Sequence, residues 1–251
     1  MSSLPSYFTI AQISDCHLFA DTTRAGYEGI NPFVNLSNVC ELVVSHRPKL
    51  LLVTGDISQD HSRESYLHLQ KLRQQYLPDS QLVVLPGNHD DCQLMQEIFA
   101  PEQLWLATPF EVQNWQLHCL NSQYQGTQGQ VESKQLNALE QQVSVADDAH
   151  HLIAVHHHPI KSESWLDKHN WVNRQEFVTR LEKLKGVKAV VHGHIHAATE
   201  KFIAQVPVWS CPSTCWQWQL SEDFGVSDLS AGARIITCHS DGTIESGVVR
   251  I

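Results

Sequence analysis

Short apolar segments alternate along the chain with amphipathic segments of helical period. The apolar segments are rich in Val, Ile and Leu and end at glycine, proline or polar residues, which is typical of buried strands. They cover residues 7–13, 50–53, 82–85, 152–155 and 187–191. Helices are predicted over residues 32–46, 63–76, 133–145 and 175–184. Strands that alternate with helices indicate an α/β fold.

The C-terminal third has a different pattern. Apolar segments at 202–203, 206–210, 233–239 and 244–249 follow one another without an intervening helical segment. A second, more antiparallel sheet packed against the first is therefore predicted. The length of 251 residues fits one large domain or two small ones. We predict a single domain over residues 1–251, because the polar motifs described next extend from the first strand to residue 196.

Each strand predicted in the first two hundred residues runs into a short polar motif. The motifs are Asp15-Cys16-His17, Gly55-Asp56, Gly87-Asn88-His89-Asp90, His156-His157-His158 before Pro159, and Gly193-His194-Ile195-His196. Ligand sites in open α/β sheets form beyond the carboxyl ends of the strands, where several loops converge. One such motif alone is usually polar surface. All of them together, each at a strand end, indicate a two-metal hydrolytic site.

The residue types in these motifs suit that chemistry. The Asp56 carboxylate can bridge two cations about 3.5–4 Å apart. Asp15 adds a second negative charge, whereas the histidines and the Asn88 amide are neutral ligands. Two divalent ions would therefore keep a net positive charge, which favours binding of a phosphate and lowers the pKa of a bound water. Mixed histidine and carboxylate ligands favour Mn, Fe, Zn or Co over Mg or Ca.

Composition narrows the partners. The formal net charge is −10, from 27 acidic and 17 basic residues without a Lys/Arg cluster, which argues against a nucleic-acid polymer as partner. A small anionic substrate stays compatible. The 7 scattered cysteines indicate reduced thiols. The N-terminus lacks the pattern of a signal peptide, and no apolar stretch approaches the roughly 20 residues of a membrane span. We therefore expect a cytoplasmic protein without a membrane partner.

The ordered motifs resemble those of the calcineurin-like metallophosphoesterase superfamily, in which they surround a dinuclear centre. The segments 156–159, 164–169 and 212–215 are similar to those of bacterial class III 3′,5′-cyclic-AMP phosphodiesterases, and the likeness extends from about residue 8 to residue 249. The resemblance implies an α/β fold with a two-sheet β-sandwich flanked by helices in αββα layers, and an active site at the carboxyl ends of the strands. It also implies two divalent metal ions, Fe or Mn or both, with Zn or Co as alternatives.

Carried over residue by residue, the resemblance implies two metal positions. The first would be held by Asp15, His17, Asp56 and His196, and the second by Asp56, Asn88, His157 and His194. In the family pattern, the histidine ligand of the fourth motif stands two residues before the proline, which selects His157 from the three consecutive histidines. Alternation in an extended segment would point His156 and His158 to the opposite side.

The resulting hypothesis is hydrolysis of 3′,5′-cyclic AMP, with other cyclic nucleotides as further substrates, to the 5′-nucleotide. A hydroxide that bridges the metals would attack phosphorus in line, and the metals and Asn88 would stabilise the developing charge. His89 is not needed as a ligand, so it is the candidate acid that protonates the leaving 3′-oxygen. Asp90 could orient that imidazole, with exposure or helix N-capping as alternatives.

Contacts with the substrate are expected from His17, Asn88, His89, His196 and Trp165. The Trp165 ring could stack on a purine, although packing within its own loop is the alternative. Trp216 and Trp218 flank a glutamine, which indicates packing in a strand or at a sheet edge.

Two other functions stay open. The first is hydrolysis of another phosphodiester or of a nucleotide pyrophosphate, because the metals set the reaction type and the pocket sets the substrate. The second is metal binding without catalysis. The sequence leaves open the native metals, the oligomeric state and the choice between cyclic AMP and cyclic GMP.

Overall fold

The computed structural model describes residues 6–251. The first five residues, part of the segment in which no signal peptide was predicted, lie outside the described residues. The strands are β1 (Tyr7–Ile13), β2 (Leu50–Thr54), β3 (Gln81–Leu85), β4 (Phe110–Val112), β5 (Trp115–Leu120), β6 (His150–Val155), β7 (Val187–His192), β8 (Glu200–Ile203), β9 (Val206–Ser210), β10 (Gln217–Trp218), β11 (Val226–Ser227), β12 (Gly232–His239) and β13 (Ile244–Arg250). The α-helices are α1 (Pro32–Val44), α2 (Arg63–Tyr76), α3 (Cys92–Ile98), α4 (Ser133–Val145) and α5 (Arg174–Leu181).

Two mixed sheets form the centre of the fold. The first has the order β13-β12-β1-β2-β3, in which β1, β2 and β3 are parallel and β12 and β13 are antiparallel neighbours. The second has the order β4-β5-β6-β7-β9-β8, with a parallel centre from β5 to β9 and an antiparallel strand at each edge. The predicted α/β class with two sheets and flanking helices is confirmed.

The C-terminal strands are distributed differently from the prediction. The predicted strands, now β8, β9, β12 and β13, do not form a sheet of their own, and a separate two-stranded sheet is formed by β10 and β11. β12 pairs with the free edge of β1, where Ile10 faces Ile236, while β9 pairs with β7, where Val190 faces Val208. The C-terminal third therefore completes both sheets, because each parallel sheet ends in an open edge that another strand can satisfy.

Alternation along the strands of the second sheet divides the core into layers. On β6, Leu152 and Ala154 face the large cluster shared with the first sheet, whereas Ile153 and Val155 face the cluster beneath α4 and α5. Successive side chains of a strand point to opposite faces, so a strand buried on both faces is apolar throughout. The sheets therefore pack face to face, with helices outside them.

The parallel strands direct the polar motifs to one edge. β1, β2, β6 and β7 each end within two residues of a predicted ligand motif. The carboxyl ends of both parallel regions meet there, which is the usual location of a ligand site in such sheets. Among residues 6–251, no helix has the length and apolar character that crossing a membrane requires.

A buried pair of histidines links the second sheet to α4. His118 Nε2 lies 3.0 Å from His151 Nδ1, and the outer nitrogens contact Gln142 Oε1 at 3.1 Å and the Ala146 carbonyl at 3.1 Å. Both rings are buried. Burial lowers the pKa of His118 to about 4. The fold therefore requires this imidazole in its neutral form.

We expect this pair to make stability depend on pH. Between pH 6.5 and about 4, position 118 binds a proton in the unfolded chain but not in the folded chain, so the free energy of unfolding falls as the pH falls through that window. The contribution is about 1.4 kcal/mol per pH unit, on the order of 3 kcal/mol over the whole window. Urea unfolding of metal-free protein at pH 6.5 and 4.5 measures this loss of stability.

His118→Gln should give a shallower pH dependence, whereas the exposed control His46→Gln should match the wild type. Equal slopes for both variants would contradict the assignment.

Candidate metal centre

The predicted ligand loops have an unusual backbone conformation. Left-handed φ angles occur at Asp15 (53°), His17 (46°), Asp56 (52°), His194 (71°) and His196 (45°). Hydrogen bonds between loops hold this conformation, from Asp15 N to the Gly55 carbonyl at 2.9 Å and from His17 N to the Asp56 carbonyl at 3.0 Å. Non-glycine residues reach this region only at a cost, and such residues concentrate at functional sites.

Two motif glycines are required by close approach of neighbouring loops. A Cβ atom at Gly87 would collide with the Asp56 carboxylate, and one at Gly193 would collide with the Ser14 hydroxyl. The absence of a side chain lets the loops after β1, β2, β3 and β7 approach one another. The glycines therefore determine the separation of the polar groups.

The first group of potential ligands comprises Asp15, His17 and His196, whose ligand atoms lie within 4.8 Å of one another. The Nε2 atoms of His17 and His196 are 3.0 Å apart, and His196 Nε2 lies 3.4 Å from Asp15 Oδ1. Asp56 Oδ2 is 3.7 Å from His17 Nε2. This arrangement brings together the predicted residues of the first metal position.

The second group comprises Asp56, His156 and His194. Asp56 Oδ2 lies 3.4 Å from His156 Nε2. Asn88 Oδ1 lies 3.2 Å from that nitrogen and 3.0 Å from His194 Nδ1. The same carboxylate oxygen thus faces both groups, as a ligand shared by two cations would.

The hydrogen bonds of the imidazoles test whether a metal fits. Three rings contact an oxygen through Nδ1: His17 with Gln59 Oε1 at 2.6 Å, His156 with the Thr54 carbonyl at 2.7 Å, and His196 with the Trp216 carbonyl at 2.9 Å. Each Nδ1 therefore donates, and each neutral ring keeps its Nε2 lone pair towards the centre. Two lone pairs that face each other at 3.0 Å repel unless a proton or a cation lies between them. Orientation through the other ring nitrogen is typical of metal-binding histidines.

The pKa values indicate how strongly the site favours positive charge. Burial disfavours the charged form of Asp56, but His156 and neighbouring imidazoles outweigh it and hold the pKa of this carboxyl well below its usual value. Burial also disfavours charged imidazoles, yet Asp56 raises the pKa of His156 to about 9 and Asp15 raises that of His196 to about 10. In His17, burial and the charge of His196 lower the pKa to about 3. Protons on His156 and His196 therefore neutralise the carboxylates of Asp56 and Asp15 in the positions where bound cations would do so.

His156, rather than His157, occupies the position beside Asp56 and Asn88. The three consecutive rings all lie near that of His194, with centroids 5.1 Å away for His156, 4.5 Å for His157 and 5.4 Å for His158. The His157 Nδ1 lies 2.8 Å from Ser122 Oγ, and among the described residues its buried Nε2 has no hydrogen-bond partner. His158 Nε2 lies 3.3 Å from Asp167 Oδ1. These contacts with Asp56 and Asn88 favour His156 as a ligand of the second group, and the selection of His157 stays a prediction.

Asp90, considered above as a residue that orients His89, contacts backbone groups in the structure. Its carboxylate is buried and accepts backbone N–H bonds from Gly87 at 2.9 Å, Ile57 at 3.0 Å and Ser58 at 3.1 Å. It orients the loops after β2 and β3 rather than the His89 imidazole. It is neither exposed nor a helix cap, since Asp91 caps α3. Burial and the Asp56 charge raise the pKa of Asp90 to about 7.

His89 lies beside the ligands. Its backbone N–H donates to Asp56 Oδ1 at 2.8 Å, and its half-buried ring is 5.0 Å from the His17 ring. Gln123, which the sequence did not single out, supports the same turn: its amide donates to the carbonyls of Gly87 at 3.0 Å and Asp90 at 2.6 Å. The turn that carries Asn88 and His89 is therefore fixed from both sheets.

Aromatic rings cover one side of the centre. Trp216 stacks on His17 with centroids 5.2 Å apart, and Trp218 stacks on His196 at 4.9 Å. The sequence predicted only packing in a strand or at a sheet edge for these two residues. The neighbouring sequence does not indicate that this segment contacts the loops that carry His17 and His196. Trp165 contacts Trp218 at 5.6 Å, and its indole N–H donates to the Gln219 carbonyl. Trp165 thus packs with its surroundings and also lies near the centre.

Comparison with known proteins agrees with this geometry. Residues 8–198 match the model of the calcineurin-like phosphoesterase family. The chain belongs to the calcineurin-like phosphoesterase family. The family match spans every predicted ligand, from Asp15 to His196. The expectation of a metallophosphoesterase is therefore confirmed.

Relatives within the calcineurin-like phosphoesterases are similar over nearly the whole chain. The 3′,5′-cyclic adenosine monophosphate phosphodiesterase CpdA of Vibrio vulnificus is 34% identical over 251 residues, covering 96% of this chain and 89% of the relative. The 3′,5′-cyclic-nucleotide phosphodiesterase alr5338 of Nostoc is 32% identical, over 97% of this chain and 92% of the relative. A dimetal phosphatase from Danio rerio has the same fold, with a TM-score of 0.63 at 13% identity over 97% of this chain and 98% of that one.

The two neighbouring histidines give a matched test of the second ligand group. His156→Gln should lower the bound metal by about one equivalent per chain, because it removes the imidazole that faces Asp56 and Asn88. His157→Gln should keep the metal, since its ring is not among the potential ligands that group with Asp56 and His194. Mass-spectrometric metal analysis after dialysis measures both. The opposite result, with metal lost only in His157→Gln, would restore the selection made from the sequence.

Proposed function

We propose that this protein hydrolyses 3′,5′-cyclic AMP to 5′-AMP at a centre of two divalent metal ions. The observation that carries the proposal is the position of Asp56 Oδ2, which is 3.7 Å from His17 Nε2 and 3.4 Å from His156 Nε2. One carboxylate would then contact both cations. The relatives from Vibrio vulnificus and Nostoc, whose names state cyclic-nucleotide phosphodiesterases, support the substrate class.

Each metal would have four protein ligands. The first set is Asp15, His17, Asp56 and His196, and the second is Asp56, Asn88, His156 and His194. This mixture of imidazole and carboxylate suits Fe or Mn, with Zn or Co as alternatives. When bound, the ions neutralise phosphate charge and lower the pKa of a water, which favours hydrolysis at neutral pH. They would also offset the repulsion between an anionic substrate and a chain of net charge −10.

Asn88 would act on the phosphate as well as on the metal. Its Oδ1 faces His156 and His194, which leaves its amide N–H groups to donate to a phosphoryl oxygen. Such a donor stabilises negative charge as it develops in the transition state. His17 and His196 lie across the same centre and are proposed to contact the bound phosphate, and Trp165 to contact the nucleoside at its edge.

His89 is proposed as the general acid. The P–O3′ bond breaks as a water oxygen bonds to phosphorus, and the leaving O3′ requires a proton. His89 is fixed beside Asp56 by its own backbone N–H at 2.8 Å, while its ring is half-buried and can recover a proton from solvent. A positioned acid of this kind contributes typically about 10²–10⁴-fold in rate.

The direct test is a product assay with the purified protein and added Mn²⁺. Cyclic AMP should give 5′-AMP, and chelation of the metal should abolish turnover. Bis-p-nitrophenyl phosphate, 2′,3′-cyclic AMP and a nucleotide sugar serve as comparison substrates. Hydrolysis of one of these without hydrolysis of cyclic AMP would replace the proposed substrate. Bound metal without turnover of any substrate would favour a metal-binding protein.

The role of His89 predicts a dependence on the leaving group. His89→Ala should lower kcat for cyclic AMP about 10²–10⁴-fold and leave the metal content unchanged. The loss should be much smaller for bis-p-nitrophenyl phosphate, because p-nitrophenolate leaves without protonation. His46→Ala, at an exposed histidine after α1, is the control. Loss of metal together with activity, or an equal loss on both substrates, would contradict the acid role.

A further inference from the structure

Four aromatic side chains form a continuous rim beside the metal centre. We define the aromatic rim as Tyr27, Trp165, Trp218 and Phe224. Phe224 lies 5.0 Å from Trp165, 5.4 Å from Trp218 and 6.0 Å from Tyr27, measured between ring centroids. Tyr27 lies 5.1 Å from Trp218. The four rings come from three separate parts of the chain and meet in one place.

The rim is continuous with the metal ligands. The Trp218 ring stacks on that of His196, with centroids 4.9 Å apart and planes inclined by 27°. At the other end, Trp165 contacts His169 at 5.7 Å, and the His169 ring is 6.4 Å from that of His194. The rim therefore extends from the first ligand group to the second along one side of the centre.

Trp165 and Trp218 pack against a small buried cluster, but burial does not explain the other two rings of the rim. Phe224 is 56% exposed and Tyr27 is 49% exposed. The hairpin that carries Phe224 is nevertheless fixed, since Trp165 donates to the Ser221 carbonyl at 2.9 Å through its backbone and to the Gln219 carbonyl at 3.2 Å through its indole. Exposed apolar groups held in a fixed arrangement mark binding sites.

We infer that the aromatic rim is the subsite that binds the nucleobase of the substrate by stacking. The inference rests on the proposed function in taking the ligand to be a nucleotide. With the phosphate at the metal ligands, the base extends away from it, and Trp218 is the ring nearest to His196 on that side. Aromatic rings bind bases by stacking of their π-faces, and this stacking needs no cationic side chain. The aromatic rim contains none.

Phe224 provides the variant for the test, because its ring contacts other rim residues and is not stacked on a ligand histidine. In metal-loaded protein, Phe224→Ala should raise the Kd of 5′-AMP about five- to tenfold and leave that of ribose 5-phosphate unchanged, since only the former carries a base. Quenching of tryptophan fluorescence measures the first, and calorimetry measures both. The KM for cyclic AMP should rise by a similar factor.

Two further variants make the test decisive. Phe224→Trp should restore tight binding of 5′-AMP, because it restores a stacking surface. Phe202→Ala removes a ring that is 59% exposed on β8 and should change neither ligand. Equal changes for both ligands, or none in Phe224→Ala, would overturn the subsite. Selective binding of 5′-AMP without hydrolysis of cyclic AMP would instead refute the proposed reaction and leave the subsite intact.

Discussion

A buried carboxylate at the end of β2 is the group on which the site depends. Asp56 is 2% exposed, and its oxygens are approached by His17, His156 and the backbone N–H of His89. A buried charge in that position would be strongly unfavourable without compensation. The surrounding histidines and amides are therefore required for folding as well as for the chemistry of the site. The carboxylate of Asp90 also fixes this loop, because it accepts hydrogen bonds from the backbone N–H groups of Ile57 and Ser58.

The sequence predicted the helices and parallel strands well, because the periods of their apolar positions are distinct. α2 and α4 have the predicted bounds. It also predicted which motifs come together, since all follow strands of parallel sheets. It did not predict that His156 would lie beside Asp56 and Asn88, because that depends on the twist and ending of β6. The partners of Asp90 were equally inaccessible, since Ile57 lies 33 residues away. The single domain stays a prediction.

The ring orientations depend mainly on backbone atoms. His156 and His196 are oriented by the carbonyls of Thr54 and Trp216, which no side-chain substitution removes. His17 is oriented by the Gln59 side chain, and His194 Nδ1 contacts the Asn88 side chain. The ligand geometry is therefore a property of the fold, whereas the aromatic rim consists of side chains on short loops. Chemistry and base recognition can thus vary independently in such a scaffold.

The first group of ligands joins the two sheets, which has a mechanical consequence. His17 follows β1 in the first sheet and His196 follows β7 in the second, 179 residues apart in sequence, yet their Nε2 atoms are 3.0 Å apart. A cation held by both would act as a cross-link that closes most of the chain into a loop, and the entropy cost of closing such a loop rises with its length. Withdrawal of the metal would then loosen the seam between the two sheets as well as stop the reaction.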